Sequence, residues 1–232
     1  VHGAWHGAWC WHKLTPLLTM AGHRVVAPDL PGLGQDKTPL SALTFAASVD
    51  RVLDCVDRAQ DPVVLVGHSL GGMTISQVAE ERPEKIRWLT YLTALLPRNG
   101  ETAFQTQTAF ENQDEALLAC MEMDELSVRL RLDAARELFY HDCPPADVRL
   151  AEKLLKPQAL LPMHTPVTLS QRFERVPRVY ITCGYDRVLT PRQQAQMYCQ
   201  TPCQKVLWLP SGHSPFFSIP ERLTARLVGL AL

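Results

Sequence analysis

The chain reads as an α/β fold, a mostly parallel sheet flanked by helices with a helical cap inserted into it. Three observations predict this. Short apolar runs bounded by Gly, Pro or charged residues recur along the chain, helix-length segments separate them, and one long stretch keeps helical spacing with no strand-like run inside it.

Taken in order, the strand-like runs are Val25-Val26-Ala27 and residues 63–66, 89–96, 179–182 and 206–209. They are continuously apolar rather than alternating, as strands covered on both faces must be. Between them, 9–21, 45–59, 70–82, 191–198 and 220–230 have apolar spacing that predicts helices. In 97–175 the apolar positions Leu117, Leu118, Met121, Leu126, Leu130, Leu138 and Phe139 keep helical spacing, and Pro144, Pro145, Pro157, Pro162 and Pro166 divide the stretch into short helices and turns. The expected organisation is therefore a core of 1–96 and 176–232 with 97–175 as the cap.

With 232 residues, 46% of them hydrophobic and 20% charged, the chain has the composition of a single soluble globular domain. Lys plus Arg (23) nearly balances Asp plus Glu (24), and no basic run stands out, which argues against nucleic acid or an anionic membrane as a partner. A small, mostly neutral molecule fits better. The seven cysteines are odd in number and scattered through apolar segments, which suits reduced thiols and a cytoplasmic setting. Cys199 and Cys203 lack the spacing and neighbouring ligands of a zinc site, so neither metal nor cofactor is expected. No segment reaches the roughly 18 apolar residues of a membrane span. The abrupt start at Val1-His2-Gly3 carries the expectation that the first strand, and any targeting segment, begins upstream.

Gly67-His68-Ser69-Leu70-Gly71 is a G-x-S-x-G sequence placed directly after one predicted strand and directly before a predicted helix. Such a sharp turn strains the serine backbone and lifts its hydroxyl into a cleft, while Gly67, Gly71 and Gly72 give neighbouring backbone room to approach. An unreactive serine in a tight turn is the plain alternative. A serine hydroxyl is a weak nucleophile until a base takes its proton, so an acid and then a histidine should follow in the chain. Asp186 lies just past the run 179–182 and His213 just past 206–209, which places both at strand carboxyl ends, where functional groups of open α/β sheets gather.

His12, His23, His141 and His164 lack that context, and His68 reads as a side chain directed into the fold. Asp29 and Asp142 remain rivals to Asp186, with Asp29 in Pro28-Asp29-Leu30-Pro31-Gly32 suited to organising a turn. Loops after the first strand supply one oxyanion-hole amide in elbow-type sites, which assigns that donor to Ala4 in Val1-His2-Gly3-Ala4-Trp5-His6-Gly7. The second is the N–H of Leu70, at the start of a helix whose dipole favours negative charge.

Together, His2-Gly3-Ala4-Trp5-His6-Gly7-Ala8-Trp9, Gly22-His23-Arg24-Val25, Gly67-His68-Ser69-Leu70-Gly71-Gly72 and Gly212-His213 resemble the methylesterase and hydroxynitrile lyase family of α/β-hydrolases. Phe139-Tyr140-His141-Asp142-Cys143-Pro144 and Leu155-Lys156-Pro157 are similar to its bacterial esterases more than to its plant members. The resemblance implies an α/β-hydrolase fold, a catalytic triad of Ser69, Asp186 and His213, and an oxyanion hole at Ala4 and Leu70. Lyases of this kind often carry Thr or Asn at the position of Gly3, and one group has Lys after the histidine and Cys after the serine, where this chain has Ser214 and Leu70. All three positions favour an esterase.

The expected function is thus a serine carboxylesterase acting on small, mostly apolar esters through an acyl-enzyme, with a second copy of the chain, in a homodimer, as the one protein partner admitted. Substrate contacts are expected from Trp5, Leu70, Phe104, Phe110, Met121, Phe139 and Phe216, each of which reads equally as a core residue. A cyanohydrin lyase and a triad-bearing ligand receptor are the competing functions.

Overall fold

The structure is a computed structural model and describes residues 1–108 and 115–231. From the N-terminus a 3₁₀ turn (Ala8–Trp11) precedes α1 (Leu14–Met20), and α2 (Phe45–Asp57) leads into β1 (Val63–Ser69), α3 (Gly71–Glu81) and β2 (Ile86–Ala94). Next come α4 (Ala103–Thr108), α5 (Glu115–Ala119), β3 (Met121–Met123), β4 (Ser127–Leu130), α6 (Leu132–Phe139), α7 (Pro145–Leu154), β5 (Gln158–Ala159), α8 (Leu160–His164) and α9 (Gln171–Glu174). The chain closes with β6 (Arg178–Cys183), α10 (Pro191–Gln200), β7 (Lys205–Leu209), α11 (Pro215–Ser218) and α12 (Pro220–Ala231).

β1, β2, β6 and β7 pair in that order, parallel throughout, as the continuously apolar runs require. Their middles are the core: Leu89, Tyr91, Leu92, Val179, Tyr180 and Ile181 are fully buried. Four of the five predicted helices form as single helices at or near their expected bounds. α2 starts where the Thr44 side chain accepts from the Ala47 N–H (3.1 Å), and it buries Phe45, Val49, Val52, Leu53 and Val56 along one face. α10 begins with a capping box between Thr190 and Gln193.

Three expectations are corrected. Residues 25–27 form no strand: they have no ladder partner among the described residues, Val26 is exposed, and with Val1 and Val63 to Val66 they line a cavity of about 530 Å³. The helix expected over 9–21 divides into the 3₁₀ turn and α1, because Pro16 has no N–H to donate and is tolerated only within a helix's first turn. The segment 97–175 is not purely helical. β3, β4 and β5 form an antiparallel three-stranded sheet there, with strands too short to display a period-2 pattern.

All four strands of the main sheet run the same way, so the loops after β1, β2, β6 and β7 emerge at one edge. Val1 joins that edge, its carbonyl accepting from the His68 N–H at 3.0 Å. α3 sits hard against the end of β2, where a Cβ on Gly72 would lie 2.0 Å from the Leu95 carbonyl oxygen. Backbone cannot yield as a flexible side chain does. Gly72→Ala is therefore expected to destabilise the fold by about 3 kcal/mol or more, and a urea midpoint within error of wild type would contradict this packing.

Candidate active site

Ser69 ends β1 in the left-handed region, with φ of +52°, and its carbonyl accepts from the Leu95 N–H at 3.0 Å. A side chain rarely adopts that conformation, so the turn between β1 and α3 holds it. Gly3 lies directly opposite. A Cβ there would come 2.8 Å from the Ser69 Cβ.

Asp186 and His213 meet at the same sheet edge. The His213 Nδ1–H donates to Asp186 Oδ2 at 2.7 Å, and both side chains are almost wholly buried. Asp186 Oδ1 accepts from the Val188 and Leu189 N–H groups at 2.7 and 3.0 Å, and Oδ2 also accepts from the Thr93 hydroxyl at 2.5 Å. The carboxylate only accepts, which assigns the proton of a neutral His213 to Nδ1 and leaves the Nε2 lone pair open. Nε2 is buried without a hydrogen-bond partner among the described residues.

The loop carrying His213 is clamped from two sides. The His213 carbonyl accepts from His68 Nε2–H at 2.8 Å, so the histidine of the elbow does point into the fold. Asp142 Oδ2 accepts from the Gly212 N–H at 2.6 Å and from the Ser211 hydroxyl at 3.3 Å. Its Oδ2 is thus taken up by the loop before His213, and its Oδ1 accepts from the Cys143 thiol at 3.6 Å, whereas the imidazole is bonded to Asp186. Asp29 accepts from the Ala8 and Gln35 N–H groups at 2.6 and 2.9 Å, a turn-organising role.

The loop 2–7 is built around two buried imidazoles. The carbonyls of Gly3 and Ala4 can only accept, so His2 and His6 each donate from Nδ1, at 2.9 and 2.7 Å respectively. Their Nε2 atoms then accept, His2 from the Leu30 N–H at 3.0 Å and His6 from the Tyr140 hydroxyl at 2.8 Å. Burial holds both rings neutral, lowering His2 to about 4 and His6 to about 3. Because the Gly3 carbonyl is tied back to His2, the N–H of Ala4 across the same peptide faces the other way. Neither the Ala4 nor the Leu70 N–H makes a hydrogen bond among the described residues.

Trp5 is left-handed as well, at φ +63°; its indole N–H donates to the Val128 carbonyl in β4 at 2.9 Å, and Phe139 packs edge-on against it. Phe139 also sets its edge against His213, at 5.3 Å between ring centres. Met121 and Phe104 are half-buried, Phe104 beside His164. Phe216 is fully buried among Trp11, His6 and His68 behind the elbow, and Phe110 lies outside the described residues. Leu70 and Gly3 line a small cavity of about 30 Å³ with Gln158 and Pro162. The larger cavity near 25–27 has none of Ser69, Asp186 or His213 in its wall.

The sequence reading missed His2, His6, Thr93 and Tyr140, and considered Asp142 only as a triad acid. The paired histidines of His2-Gly3-Ala4-Trp5-His6-Gly7 were the one available signal. Polar residues inside an apolar, glycine-rich loop need partners.

A left-handed serine between a parallel strand and a helix, at the same sheet edge as a buried Asp–His pair, is the arrangement of an α/β hydrolase. The Alpha/beta hydrolase family model matches residues 1–226, and the chain belongs to that family. A pyrethroid hydrolase of Sphingobium wenxiniae is 35% identical, with 100% of this chain and 86% of that protein covered. Methylesterase 17 of Arabidopsis thaliana is 31% identical over 100% of this chain and 90% of its own length. The crystal structure of a pyrethroid hydrolase from Sphingobium faniae superposes with a TM-score of 0.89 at 34% identity, covering 99% of this chain and 94% of that one. Within the family the chain is a carboxylic ester hydrolase of the methylesterase-like kind. Among the described residues no helix is long and apolar enough to cross a membrane.

The buried histidines set a pH dependence of stability. Their folded-state pKa values lie below the unfolded value near 6.5, so above that pH both states are neutral and nothing is lost. As pH falls from about 6.5 toward 4 the unfolded chain takes up protons that His2, His6 and His68 refuse, costing roughly 1.4 kcal/mol per pH unit for each group. The urea midpoint is expected to fall steeply across that window. A flat profile would show that these rings are not held neutral.

Proposed function

We propose that Ser69, His213 and Asp186 form a catalytic triad that hydrolyses small, mostly apolar carboxylic esters through an acyl-enzyme. The observation that carries this reading is the buried Asp186–His213 pair, whose unpartnered Nε2 lies at the strand edge that also bears a strained Ser69. His213 Nε2 takes the Ser69 proton as Oγ attacks the ester carbonyl, and Asp186 stabilises the imidazolium that forms. The N–H groups of Ala4 and Leu70 receive the oxyanion. His213 then protonates the departing alcohol, and water, activated by the same imidazole, releases the acid.

The segment 97–175 serves in this reading as a cap that closes over the site, because Phe139, Tyr140 and Asp142 touch the loops bearing His213 and Ala4. Leu70, Phe139, Met121, Phe104 and the edge of Trp5 supply the apolar wall for the acyl and alcohol groups. The neutral wall suits an uncharged ester better than a charged acid. Cyanohydrin cleavage needs a cation to meet the departing cyanide. The residue following His213 is Ser214, buried and uncharged, and a side chain on Gly3 would collide with Ser69. A cytoplasmic setting accords with the thiols of Cys10 and Cys183, which are buried and raised well above the ordinary range by that burial.

A panel of methyl, short-chain aryl and bulky hydrophobic esters, with mandelonitrile alongside, tests the reading by kcat/KM. Esters are expected to turn over repeatedly, and mandelonitrile to release cyanide no faster than buffer. Ser69→Ala should remove nearly all turnover with the fold intact, and Asp186→Asn should lower kcat by about 10⁴-fold through loss of the correct tautomer. If Asp142→Asn were the more damaging acid substitution, or Ser69→Ala stayed active, the triad would be wrongly assigned.

A further inference from the structure

Thr93 combines three features that ordinary packing does not require. It is left-handed, at φ +36°, an outlier for a β-branched residue, and no glycine stands there to relieve it. It is also the extra residue of a bulge: His68 pairs with Leu92 and Ser69 pairs with Ala94, so Thr93 has no counterpart across the ladder. Its side chain, fully buried, ends on Asp186 Oδ2, the same oxygen that accepts from His213 Nδ1.

A bulge beside an active site re-aims a side chain that regular alternation would send elsewhere. Here it turns the Thr93 hydroxyl from its own strand β2 toward the loop after β6. Asp186 needs the help. Oδ1 is filled by two backbone N–H groups, whereas Oδ2 would otherwise have the imidazole as its single donor. We infer that Thr93 is a positioning residue: its hydroxyl fixes the orientation of the Asp186 carboxylate and draws charge from Oδ2, thereby moderating how strongly Asp186 favours the protonated imidazole.

This inference rests on the triad reading. Removing the hydroxyl leaves the carboxylate more basic toward His213, which favours the imidazolium and should move the acid limb of kcat/KM to higher pH. The groups facing the pair are His68 and His6 from the elbow and the 2–7 loop, Tyr180 and Cys183 from β6, and Asp142 from the segment after α6. Burial holds the two histidines neutral and lifts Tyr180 and Cys183 well above their ordinary range, so these four do not titrate in the assay window.

The experiment compares kcat, KM and the pH profile of kcat/KM for wild type, Thr93→Val and Thr93→Ser with p-nitrophenyl butyrate. Thr93→Val is expected to shift the acid limb upward by about half a pH unit and lower kcat about tenfold, with KM within about twofold. Thr93→Ser, which keeps the hydroxyl, should restore both. Thr93→Ala supplies the same reading if the valine variant does not fold. A Thr93→Val profile superimposable on wild type, or a loss that Thr93→Ser does not recover, would overturn the inference. Ser69→Ala and Asp186→Asn run in parallel: if they abolish turnover while Thr93→Val matches wild type, the Thr93 role alone fails, and if they stay active the triad reading falls and takes this inference with it.

Discussion

The left-handed turn at Ser69 is the constraint on which the rest of the site depends. A residue of that kind costs about 1–3 kcal/mol and persists only where its surroundings over-determine it. Here the surroundings are the rigid end of a parallel sheet on one side and the start of α3 on the other. Among the described residues the non-glycine positions with positive φ are Trp5, Ser69 and Thr93, and each belongs to a different part of one arrangement. Ser69 presents the hydroxyl, Trp5 follows Ala4, the residue proposed to donate to the oxyanion, and Thr93 reaches the carboxylate. The fully buried middles of β2 and β6 provide the stability against which such strain is held.

Polar groups buried at this edge are fixed in an order that follows from donor and acceptor chemistry. Carboxylate and carbonyl oxygens only accept, so His2, His6 and His213 all carry their proton on Nδ1. In His213 this leaves Nε2 open; in His2 and His6 the same atom is capped by Leu30 and Tyr140. Three chemically identical rings thus differ in role because of what meets one nitrogen. The segment 97–175 enters the same network, since Tyr140, Asp142 and Val128 each hold one of the loops and Lys13 pairs with the buried Asp147 of α7 at 2.5 Å. Movement of that segment cannot leave the geometry around Ala4 and His213 untouched.

Much of the fold was legible because its strands are continuous apolar runs ending at glycine or charge, and β1, β2, β6 and β7 all lie on such runs. What failed was local. Residues 25–27 look like a strand by composition, but a strand needs a neighbour at ladder distance, and between them and the edge strand β1 lies a cavity instead. The 3₁₀ turn before α1 depends on a single proline, and β3 to β5 are shorter than any period. At the site, Ser69, Asp186 and His213 could be placed because strand-end position and chain order constrain them, while Thr93 was hidden: a one-residue register shift between paired strands leaves no trace in the chain that carries it. Asp142 was visible as an acid near the right place, yet that its Oδ2 holds the Gly212 amide follows from a fold contact 70 residues apart in the chain. Phe216, with the right chemistry for a pocket wall, faces the core because α11 turns inward directly after His213.

That a strained serine and a buried Asp–His pair act together as a nucleophile is tested most directly by covalent capture. The intact protein, treated with a fluorophosphonate and then digested, should carry one phosphonyl group per chain on Ser69, with ester hydrolysis lost in proportion to labelling. Label on another residue, or unhindered hydrolysis by protein fully labelled at Ser69, would contradict it.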